Sequence, residues 1–123
     1  MNPDIKNRWT TKLRSGEYKQ GRNNLRVYDV ANEEERFCCL GVLCEIAVED
    51  GIIPPANTTS VVRRYGVDEA YGSIGILPTV VKEWAELDYP NGGYGIGDVH
   101  ALSNDNDTGK SFDQIADIID QNF

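Results

Sequence analysis

The run Phe37-Cys38-Cys39-Leu40-Gly41-Val42-Leu43-Cys44 limits this chain's folds more than any other feature. It is the longest apolar stretch in the sequence. The pattern continues through Ile46 and Ala47, with Glu45 as the first charge. A helix that is apolar on nearly every side must be buried, so Cys39–Glu49 is expected to be a central helix wrapped by the remaining segments. Gly41 would let another backbone approach it closely. The run is far shorter than the roughly 18 apolar residues that span a bilayer, so it reads as core and no membrane is expected. All three cysteines lie within it. Their number is odd and adjacent cysteines rarely pair, so the expectation is structural thiols in a reducing, cytoplasmic setting. Met1-Asn2-Pro3-Asp4 shows no secretory pattern of a basic then an apolar region.

The other elements are read around that helix. Asn2-Pro3 is an N-cap followed by proline at the first helical position, and Ile5, Trp9 and Leu13 form one stripe, which predicts a helix over Pro3 to Arg14. Glu17 to Asn24 reads as a loop. Leu25 to Tyr28 and Arg36 to Cys38 read as the strands of a hairpin, joined by the polar turn Ala31 to Glu35. Pro54-Pro55 makes Ile52 to Ser60 a connection. Val61 to Ile76 is open between helix and strand, with Tyr71 to Ile76 readable as a weak strand. Pro78 opens a further helix with Val80, Val81, Trp84 and Leu87 inward. Asp88 to Gly97 is a loop, Val99 to Leu102 a short element, and Asn104 to Gly109 a turn. Ser111 and Gln114 match a capping box for a last helix from Phe112 to Asp120, with Phe112, Ile115, Ala116 and Ile119 inward. Helices and strands do not alternate as βαβ units, so the expected class is α+β. With 123 residues, the chain fits one small domain, 1–123, of three to four helices packed with a short antiparallel sheet or hairpin.

Several motifs are present only in part. Gly109-Lys110-Ser111 resembles the end of a phosphate-binding loop, but Asn104 stands where its first glycine belongs. Asn104, Asn106 and Thr108 resemble half of a calcium loop, but Ile115 replaces the closing glutamate. Cys38, Cys39, Cys44 and His100 lack zinc spacing, so no metal and no cofactor is expected. Gly92 to Gly97 matches no dinucleotide fingerprint; it reads as a flexible loop or, second, as a lid over a pocket. A single histidine gives no serine–histidine–carboxylate grouping, so a non-enzymatic role is preferred.

Charge is the remaining guide. The formal charge of −8 divides into +5 over residues 1–27 and −13 over residues 28–123. The acidic bulk argues against a long nucleic acid. The basic stretch between the first helix and the hairpin suits a small, nucleotide-like anion. Glycines turn amides toward an anion, arginine and lysine supply charge, and tyrosine offers a stacking face. The nominated ligand-binding residues are Arg14, Tyr18, Lys19, Gln20, Arg22 and Arg26, with Lys110 as an outlier. A homo-oligomer would enclose such a pocket between subunits. The alternative is an acidic protein-binding inhibitor or DNA mimic that uses Glu33 to Glu35 and the C-terminal aspartates.

Four stretches carry a resemblance. They are Trp9 with Leu13 to Gly21, Phe37 to Cys44, Leu77-Pro78 with Val81 and Trp84, and Leu102 to Asp105 with Gly109 to Phe112 and Ile115 to Asp117. Together they resemble a group of short proteins of tailed phages and prophages, with Ile52 to Ile76 fitting less well. The resemblance implies a phage accessory protein in the host cytoplasm. Small phage proteins of this type are often expressed to blunt host immunity, by trapping nucleotide-derived signals or by blocking a defence enzyme.

Overall fold

The computed structural model describes residues 1–66 and 74–123. The first helix, α1 (Pro3–Arg14), is capped by Asn2, whose side chain accepts from the Asp4 and Ile5 amides at 3.0 and 3.1 Å. Its stripe of Ile5, Trp9 and Leu13 is buried, and the Trp9 indole donates to the Cys39 carbonyl at 2.9 Å. The strands β1 (Arg26–Asp29) and β2 (Glu34–Phe37) pair antiparallel, with Arg26 opposite Phe37 and Asp29 opposite Glu34. The turn is therefore tighter than Ala31 to Glu35, and Glu34 and Glu35 belong to the strand. Asp29 explains this: its carboxylate accepts from the Ala31 and Asn32 amides and folds the turn early. Single bridges flank the hairpin, Gln20 beside Phe37 and Val27 beside Val62.

The helix α2 (Cys39–Glu49) is buried along Cys39 to Cys44 and again at Ile46 and Ala47. Its Gly41 is essential to the hairpin's seat, since a Cβ there would lie 1.8 Å from the Leu25 carbonyl oxygen. Gly51 closes the helix with φ +71°. In the ambiguous stretch, Val62 bridges to β1 and Arg64 bridges to Asn57. The proposed strand Tyr71 to Ile76 falls largely on residues 67–73, outside the described residues, and Ile74 to Ile76 form bends.

The helix α3 (Thr79–Trp84) begins after Pro78 and turns Val81 inward. Val80 is 39% exposed, and buried Ala85 takes its expected place, because the helix stops at Trp84 and the chain turns before Leu87. The segment expected as a loop holds β3 (Gly93–Tyr94), paired antiparallel with β4 (His100–Ala101) around a tight turn at Ile96–Asp98. Directly after β4 comes α4 (Leu102–Asp107), where a turn was expected from Asn104. Its polar sequence hides a buried face of Leu102, Asp105 and Asn106. The last helix, α5 (Phe112–Asn122), has the capping box and buries Phe112, Ile115, Ala116 and Ile119.

Among the described residues there are five α-helices and two antiparallel two-stranded sheets, so the protein is α+β. The helix α1 packs on α5 and α2, and α4 joins α2 to α5. One core cluster includes Trp9, Leu25, Leu43, Tyr65, Leu102 and Ile115. Among the described residues no helix is long and apolar enough to cross a membrane.

Candidate functional site

The basic stretch after α1 is tied down along its length. Gly16 turns the chain with φ +77°. The Tyr18 ring then meets Phe37 edge-on at 4.9 Å, with the Lys12 ammonium 5.8 Å from its centre. Burial raises the Tyr18 pKa, against the pull of Lys12. The Lys19 carbonyl accepts from the Phe37 amide at 2.8 Å, and the Gly21 amide donates to the Phe37 carbonyl at 2.7 Å. The segment thus lies beside β2, joined to it by a single parallel bridge between Gln20 and Phe37.

Asn106 is the hub beneath it. Its side chain is 0% exposed and uses its whole hydrogen-bonding capacity. Nδ2 donates to the Gly21 carbonyl at 2.8 Å and to Asp107 at 3.2 Å. Oδ1 accepts from the Cys39 amide at 3.2 Å and from Gln20 Nε2 at 2.9 Å. Gln20 Nε2 also donates to the Lys110 carbonyl at 2.8 Å. That bond brings Lys110 beside a loop 90 residues earlier in sequence. The Asn23 amide adds a bond to Asp107 at 2.8 Å.

A cleft of about 270 Å³ opens here, lined by Leu13, Arg14, Gly16, Tyr18, Gln20 and the Ser111–Asp113 start of α5. Three of the seven nominated side chains, Arg14, Tyr18 and Gln20, therefore share one cleft. Arg22 lies against the neighbouring turn, where a Cβ on Gly109 would be 3.7 Å from its guanidinium. Lys19, Arg22 and Lys110 are exposed and have no ion pair among the described residues. Arg14 differs, since it is held by Asp117 and Asp120 at 2.8 Å each. At the start of α5 the capping box occupies the Ser111 and Gln114 amides. The first-turn amides of Phe112 and Asp113 have no intrahelical acceptor, and the helix dipole there favours negative charge.

Arg26 does not join this group. Its guanidinium lies over the Phe37 ring at 5.2 Å and pairs with Glu35 at 3.2 Å and Glu45 at 3.5 Å. Arg63 donates to the same Glu35 oxygen at 2.8 and 3.0 Å, and the buried Tyr65 hydroxyl donates to Glu45 at 2.7 Å. Burial opposes the Glu35 charge, yet hydrogen bonds from Arg63 and Arg26 hold its pKa below 4.5. Burial and the Glu45 carboxylate drive the Tyr65 pKa upward, so the phenol keeps its proton. Arg26 Nε and Glu35 Oε2 are buried with no partner among the described residues. The sequence carried one signal of this cluster, the charge of Glu45 between apolar neighbours in the middle of α2.

The acidic run is largely consumed in the same way. Glu34 pairs with Arg36 at 2.7 Å and Glu35 with the two arginines, leaving Glu33 exposed. The three cysteines are buried and unpaired by disulfides. Burial pushes the Cys38 thiol up to about 11, and Cys39 and Cys44 also lie well above the usual value, which opposes thiolate chemistry near neutrality. His100 is exposed and stacks on Tyr94 at 5.3 Å, whereas the cysteines are buried in and beside α2. Among the described residues no three His, Cys, Asp or Glu side chains group to hold a metal ion.

The whole chain, residues 1–123, matches the family described as a domain of unknown function (DUF8296), and the protein belongs to that family. No curated protein and no solved structure matches it.

Proposed function

We propose that the protein is a non-enzymatic binder of a small anionic, nucleotide-like molecule, which it sequesters rather than transforms. The observation that carries this reading is the Gln20–Lys110 bond of 2.8 Å. It joins the Lys19–Arg22 loop to the turn before α5, so the chain positions of three exposed cations, without an ion pair among the described residues, neighbour a cleft that offers an aromatic ring and helix amides. Phosphate oxygens accept from such amides and cations, and a planar base lies against a tyrosine face. The Asp117 and Asp120 carboxylates already neutralise Arg14. The attraction therefore falls to Lys19, Arg22 and Lys110, and Asp113 at the cleft limits the anionic charge that is tolerated. Within the phage setting that the resemblance implies, the ligand is a nucleotide-derived immune signal of the host cell.

The test is a thermal-shift panel of mononucleotides, cyclic dinucleotides and inorganic phosphate at low salt. A ligand at 100 times its Kd stabilises by about 2.7 kcal/mol, a rise in Tm of roughly 10 °C for a domain this size. A nucleotide that gives such a rise, lost at high salt, is the expected result. No rise with any member at millimolar concentration sinks the reading.

A further inference from the structure

The β3–β4 hairpin has no part in the cleft, yet its tip is built to present apolar side chains to water. Ile96 is 97% exposed and Val99 is 74% exposed. Scattered surface aliphatics need no explanation, but these two sit on one tight turn beside exposed Tyr89. The turn is fixed by three left-handed residues, Gly95, Gly97 and Asp98, with φ of 86°, 72° and 54°. Tyr89 packs against Gly93, and its hydroxyl is paired with the Asp98 carboxylate. Tip and tyrosine thus form one continuous surface. The chain that carries this surface, after Lys82, is acidic. Residues 83–99 carry Glu83, Glu86, Asp88 and Asp98 and no lysine or arginine. All four carboxylates are exposed, and none is in an ion pair among the described residues.

We propose that this tip is a docking surface for a basic amphipathic segment of another protein, with apolar residues against Ile96, Val99 and Tyr89 and lysines or arginines toward Asp88 and Asp98. Apolar contact supplies affinity, and the acidic surround rejects neutral and acidic partners. The surface differs from the Glu33 to Glu35 run, whose carboxylates are mostly paired internally.

The test is a titration followed by backbone amide NMR at low salt. The probe is a 12-residue helical peptide with leucines on one face and lysines on the other. An all-lysine peptide and a leucine–glutamate peptide serve as comparisons. The expected result is that the leucine–lysine peptide shifts the amides of residues 95–99 and Tyr89 and binds at least tenfold more tightly than either comparison. Ile96→Ser with Val99→Ser, both at exposed positions, should weaken it at least tenfold while leaving the rest of the spectrum in place. The proposal falls if the peptide causes no shifts, if the shifts lie elsewhere, if the all-lysine peptide binds equally well, or if the double variant binds unchanged. A concentration-dependent dimer abolished by the double variant would also overturn it, by making a second copy the occupant.

Discussion

Arg26, Arg63, Glu35 and Glu45 meet on one side of the β1–β2 hairpin, whereas Lys19, Arg22 and Lys110 stand near the loop that pairs with the other edge. The first four are largely screened from water and pair among themselves, with Tyr65 completing the set. The second three are exposed and unpaired among the described residues. The first group pins the hairpin to α2 and to the chain near Tyr65. Its charges cancel locally and attract nothing from outside. The second group contributes little to folding, and its field extends into solvent, where an anion can feel it within a Debye length of about 8 Å at physiological salt. Arginines alike in sequence thus divide into structural and available ones according to whether a carboxylate is folded against them.

That contrast can be broken most severely at its base. Gly41→Ala forces a Cβ to within 1.8 Å of the Leu25 oxygen, so the hairpin cannot seat. The expected loss is roughly 4 kcal/mol or more, a large share of the stability of a domain this size. Urea unfolding should show a collapse of the midpoint.

Next comes Glu35→Ala, which leaves two arginines without their shared carboxylate. Breaking a fully buried pair costs about 3–5 kcal/mol, and the 25% exposure of the Glu35 side chain reduces this to roughly 2 kcal/mol. Its pH signature is distinct. The folded pKa of Glu35 lies below its ordinary 4.5, so the unfolded state binds the proton more readily. The contribution is complete above 4.5 and is lost as the pH falls through the lower folded value. Denaturant midpoints measured against pH should therefore decline less steeply below that point in the variant than in the native protein.

Gln20→Ala sharpens the comparison at the other edge. It removes two hydrogen bonds at about 1 kcal/mol each, and Asn106 keeps its bond to the Cys39 amide. A stability loss of roughly 1–2 kcal/mol is expected, together with weaker nucleotide binding by calorimetry, because the cleft loses the Gln20 side chain and the direct bond to the Lys110 carbonyl. The smallest effect on folding belongs to the triple change Lys19→Ala, Arg22→Ala and Lys110→Ala. Stability should stay within about 0.5 kcal/mol while ligand-induced stabilisation disappears. If stability fell by several kcal/mol instead, these cations would belong with the structural group.

Elements with strong local signals were readable in advance. Asn2-Pro3 starts α1, Ser111 and Gln114 cap α5, and the all-round apolar run is α2. The α4 helix was not readable, because Ser103-Asn104-Asp105-Asn106-Asp107 has the composition of a turn. Only the long-range bonds of Asn106 explain its burial. The hairpin was placed correctly, but its turn was read too long, since the Asp29 cap weighs more than the acidic composition of Glu34 and Glu35. At the cleft, a local pattern identified Arg14, Tyr18 and Gln20 together. It could not separate Arg26 from them, because the Glu45 that claims it comes 19 residues later. It gave no reason for Lys110 to be near, because that depends on bonds between Gln20, Gly21 and Asn23 and residues more than 80 positions later.

The saturated Asn106 amide also bears on how this protein can change. It secures the loop from below, so the residues at the rim are free of structural duty and open to replacement. On the proposed reading, replacements at positions 19, 22 and 110 would change what the rim attracts while Asn106 and Gln20 keep the scaffold unaltered. A variant that loses the asparagine forfeits the shape of the mouth before any question of chemistry arises.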